Sequence, residues 1–165
     1  MAETRAEVWV VNASPLIALG AIGQLGLLIE SGRKICVPEG VALEIGQGAD
    51  DDAAARWLAG PGAGHVVAVP QLDGRVASWD LGLGESHVLT ACLAGPPAWA
   101  VVDDRAARRC AKALSVPCLG TLAVVALARR QGRIPAAAPV YAALRRQGFR
   151  ISQDVLRAVL EQLGE

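Results

Sequence analysis

With 165 residues, 53% of them hydrophobic and 19% charged, the chain is long enough to bury a core and too apolar to stay disordered. No window reaches the roughly 20 uninterrupted apolar residues of a membrane span, and MAETRAEVWVV shows no basic stretch ahead of a long apolar run, so neither a membrane segment nor a secretory signal is expected. The net charge is zero, so bulk charge points to no partner, but its distribution is uneven: residues 1–104 carry 13 acids and 5 bases, whereas 105–150 carry 10 bases and no acid.

In chain order, EVWVV (7–11) is a β-branched and aromatic run that predicts a buried strand. It ends at Asn12-Ala13-Ser14-Pro15, where Ser14 is expected to cap a helix and Pro15 to occupy its first position. LIALGAIG and QLGLLIESG read as two helices, KICVP (34–38) as a second strand, and Glu39 to Ile45 as a helix carrying Glu44. Asp50-Asp51-Asp52 places acid at the start of the helix AAARWLAG, where the helix dipole favours it. HVVAVP (65–70) predicts a third strand, followed by a loop with Gly74, Gly82 and Gly84, of which the stretch around 70–83 is the weakest connection.

ESHVLTACLAG then reads as a helix opened by Glu85, AWAVVDD as a fourth strand ending on Asp103 and Asp104, and RAARRCAKALS as its helix. VPCLG is a short edge-like strand, TLAVVALARRQG a helix stopped by Gly132, and APVYAALRRQG and SQDVLRAVLEQLGE two amphipathic helices. Alternating strands and helices imply an α/β fold with a parallel sheet covered on both faces. No repeat or linker divides the chain, so one domain over 1–165 is expected, with helices of about 136–165 packed on it. The four cysteines lack metal-motif spacing and read as reduced thiols of a cytoplasmic protein. His65 and His87 are read as structural.

Functional groups in such a sheet gather at the carboxyl ends of the strands. Asn12 and Ser14 follow the first strand, Glu44 lies in the helix after the second, Glu85 opens the helix before the fourth, and Asp103 and Asp104 end the fourth. Several carboxylates with one amide suit a hard divalent cation such as Mg²⁺ or Mn²⁺, which prefers oxygen ligands and can activate water and neutralise a phosphodiester. Each residue also has a plain structural role open to it: Asp104 as a helix cap, Asn12 in an Asx turn, Glu85 as a first-turn acid, Glu44 as a surface glutamate. Arg105, Arg108 and Arg109, just beyond the carboxylates, can meet phosphate. GLGES (82–86) is neither a nucleophile elbow nor a phosphate loop.

Four stretches together, VVNASPLIALGAIGQLGLL (10–28), VPEGVALEI (37–45), LGLGESHVLTACL (81–93) and VVDDRAARRCAKALSVPCLGTLAVVALARRQGRI (101–134), resemble the PIN-domain superfamily of metal-dependent ribonucleases. Within it, they are similar to a prokaryotic branch related to VapC-type toxins, and LRRQGFRISQDVLRAVLEQLGE (144–165) resembles that branch's ending. The resemblance implies a three-layer α/β/α sandwich with a central, mostly parallel sheet of four to five strands. It places the family's four acidic positions on Asn12, Glu44, Glu85 and Asp104, with Asp103 an extra carboxylate and Ser14 the small hydroxyl residue near the first position. It implies Mg²⁺ or Mn²⁺ as cofactor and RNA as substrate; many relatives also pair with a small antitoxin protein, and many form homodimers.

One departure stands out. The first position is aspartate in most active members, and here it is Asn12, whose amide oxygen can ligate a cation but adds no charge. The reading is therefore a metal-dependent endoribonuclease using Glu44, Glu85, Asp104 and Asp103, with Asn12 as a further ligand. The alternative is a PIN-fold module that binds nucleic acid or protein without cutting.

Overall fold

The structure is a computed structural model describing residues 7–49 and 52–165. Strand β1 (Val8–Val11) leads into α1 (Ala13–Ala21) and the short α2 (Gly26–Ile29). Strand β2 (Lys34–Pro38) leads into α3 (Glu39–Gly46) and α4 (Ala53–Ala59). A 3-10 turn at Ala63–His65 precedes β3 (Val66–Val67), α5 (Gly74–Ala77) and α6 (Leu83–Ala94). Strand β4 (Ala98–Val101) is followed by α7 (Arg105–Ala113), β5 (Cys118–Leu119) and α8 (Thr121–Arg130), and then by α9 (Ala138–Arg146) and α10 (Gln153–Leu163).

The five strands form one sheet in the order β3-β2-β1-β4-β5, and every pairing is parallel. Parallel strands are covered on both faces and so need apolar side chains on both, which is why β1 and β4 read as continuous apolar runs. Val11, Val37, Ala100 and Val101 are fully buried accordingly. The chain leaves β1 toward β2 and β3, then crosses back to β4 and β5. The direction of winding thus reverses between β1 and β4, and such a switch point opens a crevice at the carboxyl ends of the two strands. Val11 is in register with Val101, and the Asn12 amide donates to the Val101 carbonyl at 3.0 Å. Asn12 is therefore held at the mouth of that crevice.

The expected elements appear with four differences. Helix α1 starts at Ala13 with Asn12 in the N-cap position, so Ser14 lies inside the first turn and does not cap. Pro15 is tolerated there because the first-turn N–H groups have no partner within the helix. The QLGLLIESG helix shortens to α2, bracketed by Gly23 and Gly32, both at positive φ (70° and 80°). HVVAVP pairs only at Val66 and Val67, because β2 ends at Pro38 and offers no further ladder; beyond it, the Val69 N–H donates instead to Glu39 Oε1 at 2.8 Å. The loop over about 70–83 contains α5, capped by Asp73 and anchored by the buried Val76. Of the three aspartates ahead of α4, Asp52 is the N-cap and accepts from the Ala54 and Ala55 amides; Asp50 and Asp51 lie outside the described residues.

The C-terminal helices are tied back by specific polar bonds. Arg133, just past α8, donates to the Gly26 and Leu27 carbonyls at the start of α2, at 2.7 and 3.1 Å. The buried Tyr141 hydroxyl in α9 donates to the Leu122 carbonyl of α8 at 2.9 Å. The Glu165 carboxylate accepts from the Ala137 and Ala138 amides at the start of α9 and from Arg129 Nε of α8. Among the described residues no helix is long and apolar enough to cross a membrane.

Candidate functional site

The site begins with an amide that does not behave as a cap. Asn12 occupies the N-cap position of α1 with extended backbone (φ −80°, ψ 170°), yet its side chain makes no capping bond. It reaches across the crevice, where Nδ2 donates to Glu85 Oε1 at 3.1 Å. That bond fixes which end of the amide is which, because the reverse placement would set two oxygens against each other. Asn12 is 2% exposed, and its Oδ1 is buried without a hydrogen-bond partner among the described residues. An orphaned buried acceptor costs about 1–3 kcal/mol, so the fold tolerates a carbonyl oxygen held ready for a donor or a cation.

Two glutamates converge on it. Glu44 sits on the last turn of α3, and its Oε1 accepts the Gly84 amide at 2.9 Å. Glu85 lies in the first turn of α6, where the dipole favours acid. The glycines of LGLG leave the space that these groups share. A methyl group on Gly84 would lie 2.6 Å from Glu44 Oε2 and 2.8 Å from Asn12 Oδ1. One on Gly82 would lie 2.5 Å from Glu85 Oε2 and 3.9 Å from Glu44 Oε1. The result is a cradle of carboxylate and amide oxygens around a vacant volume.

Helix α3 is positioned by His87, whose Nδ1 accepts the Gly40 N–H at 3.1 Å. The ring packs so closely that a methyl on Gly40 would lie 2.7 Å from that nitrogen. His65 accordingly has its own structural place, with Nδ1 3.0 Å from the Ile35 carbonyl and its ring stacked on Trp57.

The paired aspartates divide their work. Asp104 is exposed and caps α7, accepting from the Ala107 amide at 2.8 Å. Asp103 is half-buried and turns into the fold. Its Oδ1 accepts from the Thr121 amide at 2.8 Å, and its Oδ2 from Thr121 Oγ1 at 2.7 Å and Ser14 Oγ at 3.0 Å. It thereby ties together the segments following β1, β4 and β5. By their hydrogen bonds, Glu85 meets Asn12 and Glu44 meets the Gly84 amide, whereas Asp103 meets Ser14 and Thr121 and Asp104 meets the Ala107 amide. Among the described residues no three Asp, Glu, His or Cys side chains gather closely enough to hold an ion by themselves; the third member of the cradle is an amide.

Ser14 is thereby assigned to Asp103. Arg105, Arg108 and Arg109 are exposed on the first turns of α7, with no ion-pair partner among the described residues. Thr121, fully buried, and the glycines at 40, 82, 84 and 120 are site residues that sequence reasoning missed. Thr121 had one visible signal, its place at the start of a helix just after a strand and a glycine. The four cysteines are free and stand apart from the cradle's ligands. Burial pushes the Cys92 thiol up to about 12, which keeps it neutral.

The oxygen-only donor set, the orphaned Asn12 Oδ1 and the volume that Gly84 leaves open all fit a hard divalent cation. Compared with known proteins, the chain matches the family described as DUF3368, PIN domain, over residues 8–165. No curated protein matches it, and no solved structure does.

Proposed function

The chain belongs to the PIN-domain family, and from that premise we propose that it is a divalent-metal-dependent endoribonuclease. The observation that carries this reading is the buried, unsatisfied Asn12 Oδ1 facing Glu44 across the space above Gly84. Asn12, Glu44 and Glu85 would hold Mg²⁺ or Mn²⁺, which when bound supplies charge neutralisation and an activated water. The Gly84 amide orients Glu44, and the Asn12 amide orients Glu85, so both carboxylates are fixed before substrate arrives. Asp103, steadied by Thr121 and Ser14, adds negative charge beside the cradle, and Asp104 serves through the N-terminus of α7. Arg105, Arg108 and Arg109 would meet the RNA backbone, an affinity that weakens with salt.

A second reading is a PIN-fold module that binds nucleic acid or protein without cutting. It is favoured by one observation: Asn12 brings no charge, and both aspartates are committed to hydrogen bonds inside the fold. The deciding experiment is cleavage of a panel of structured and single-stranded RNAs with Mn²⁺ or EDTA, beside Glu85→Gln. Metal-dependent cutting lost in the variant supports the nuclease. Equal inertness of both proteins, with no Mn²⁺-dependent rise in melting temperature, supports the binding module. Pairing with a small antitoxin and homodimer formation are proposals from the family resemblance, checked by a neighbouring small gene and by solution mass. A reducing cytoplasm suits the four free thiols.

A further inference from the structure

We infer that the trough beside Asp103 is a base-binding subsite for single-stranded RNA, an inference that rests on the nuclease reading and names the form of its substrate. A cavity of about 710 Å³ lies between α8, α10 and the sheet face carrying Trp9 and Trp99. Those two tryptophans are in register on adjacent strands and so share that face. Trp9 is buried as the floor, while Trp99 and Phe149 remain partly exposed. Leu122 and Leu127 of α8 supply the facing apolar wall. The volume lies within the usual range for a small-ligand site.

The cations of the trough point to an anionic guest. Arg33 is already engaged, paired with Glu7 at 3.5 Å and lying 5.2 Å from the centre of the Trp9 ring. Arg108, Arg130 and Arg150 also line the trough, and none has an ion-pair partner among the described residues. Flat apolar walls with unpaired guanidinium groups match a nucleotide: the base stacks, and the phosphate meets arginine. Single-stranded RNA presents such splayed bases, whereas a duplex keeps them stacked inside.

The trough also reaches Asp103, which is bonded to the segment after β1. Asp103 and Arg108 both line it, and Gly120 leaves their meeting point clear. A methyl there would lie 2.9 Å from Asp103 Oδ1 and 3.2 Å from Arg108 Nη1. Asp103 in turn holds Ser14, two residues beyond Asn12. A base seated in the trough thus leaves its neighbouring phosphate near Asn12 and the two glutamates.

The test is binding of a short labelled single-stranded oligoribonucleotide to the full chain in EDTA, which separates binding from cutting. Trp99→Ala is expected to weaken binding about tenfold, the scale of one lost stacked base. Arg130→Gln should weaken it and lower the salt slope by about one. Ala123→Phe, at an exposed position lining the trough, fills the space without removing core and should weaken binding as well. An oligonucleotide lacking bases should bind wild type and Trp99→Ala alike. Unchanged binding in both Trp99→Ala and Ala123→Phe overturns the subsite; if Mn²⁺-dependent cleavage persists in them with the same base preference, the nuclease reading survives without it. A wild-type chain that neither binds nor cuts RNA overturns both. Unaltered RNA binding together with uptake of an acidic amphipathic peptide by the trough also overturns the assignment.

Discussion

Placing a carboxyl group at the first position through Asn12→Asp should destabilise the metal-free protein and sharpen its response to metal. The substitution removes the Nδ2 donor and sets a carboxylate oxygen where the amide now meets Glu85 Oε1 at 3.1 Å. At that separation two full charges repel by about 5 kcal/mol at an effective dielectric constant of ~20. Holding the new carboxyl protonated at neutral pH, about three pH units above its usual range, costs about 4 kcal/mol. The smaller cost wins, so the introduced group stays protonated and the penalty at pH 7 is at most about 4 kcal/mol.

Its sign follows from linkage. A carboxyl whose folded value is raised binds more protons folded than unfolded, so the penalty grows as pH rises above the ordinary Asp range and fades near pH 4. Thermal melts of both proteins in EDTA between pH 4 and 8 should diverge with rising pH. Mn²⁺ should then stabilise the variant more than the wild type, because binding displaces that proton and the ion gains a charged ligand. Equal melting temperatures in EDTA across the range, or an equal Mn²⁺ response, would refute the geometry assigned to Asn12.

Three further outcomes are expected. Gly84→Ala should retain the fold, since alanine is the better helix former by about 1 kcal/mol and Glu44 can swing away, but its methyl intrudes on Glu44 Oε2 and Asn12 Oδ1; Mn²⁺-dependent stabilisation should disappear in a melt. Tyr141→Phe removes the buried bond to the Leu122 carbonyl and should cost about 1–2 kcal/mol in urea unfolding, with Mn²⁺-dependent stabilisation unchanged. The Ala137 and Ala138 amides, and then Arg129, hold the Glu165 carboxyl below its usual value. That stability is present above the ordinary Glu range and lost as pH falls through the folded value, so the melting gap between wild type and Glu165→Gln should close on acidification from pH 7.

How much of the site was legible depends on what each residue's neighbours are. Asn12, Glu44 and Glu85 were legible as candidates because the local pattern reveals the element that each follows or sits in, and the resemblance supplied their order. The cap role of Asp104 was legible from the helix that follows it, but the inward turn of Asp103 was not, because its partners lie on other segments. Helix α7 starts at Arg105 and takes Asp104 as its cap, leaving Asp103 to face inward. Thr121 was missed because its chemistry is supplied by Asp103, 18 residues earlier. The shortened β3 was illegible for a related reason: HVVAVP has strand character throughout, but a strand extends only as far as its partner, and β2 stops at Pro38.

The glycines show where sequence reading stops and geometry begins. LGLG announces a flexible connection, yet Gly84 is a helical residue and neither it nor Gly82 has positive φ. Their smallness serves space, not conformation, since each withholds a methyl group from a position where carboxylate and amide oxygens converge. Gly120 likewise leaves space between Asp103 and Arg108, whereas at Gly40 the space is filled by the His87 ring. Gly82 and Gly84 thus open room in the crevice that lies where β1 and β4 part. The sheet order fixes the crevice's place and the glycines its volume. The Asn12 Oδ1, a buried side-chain oxygen with no hydrogen-bond partner among the described residues, sets its polarity.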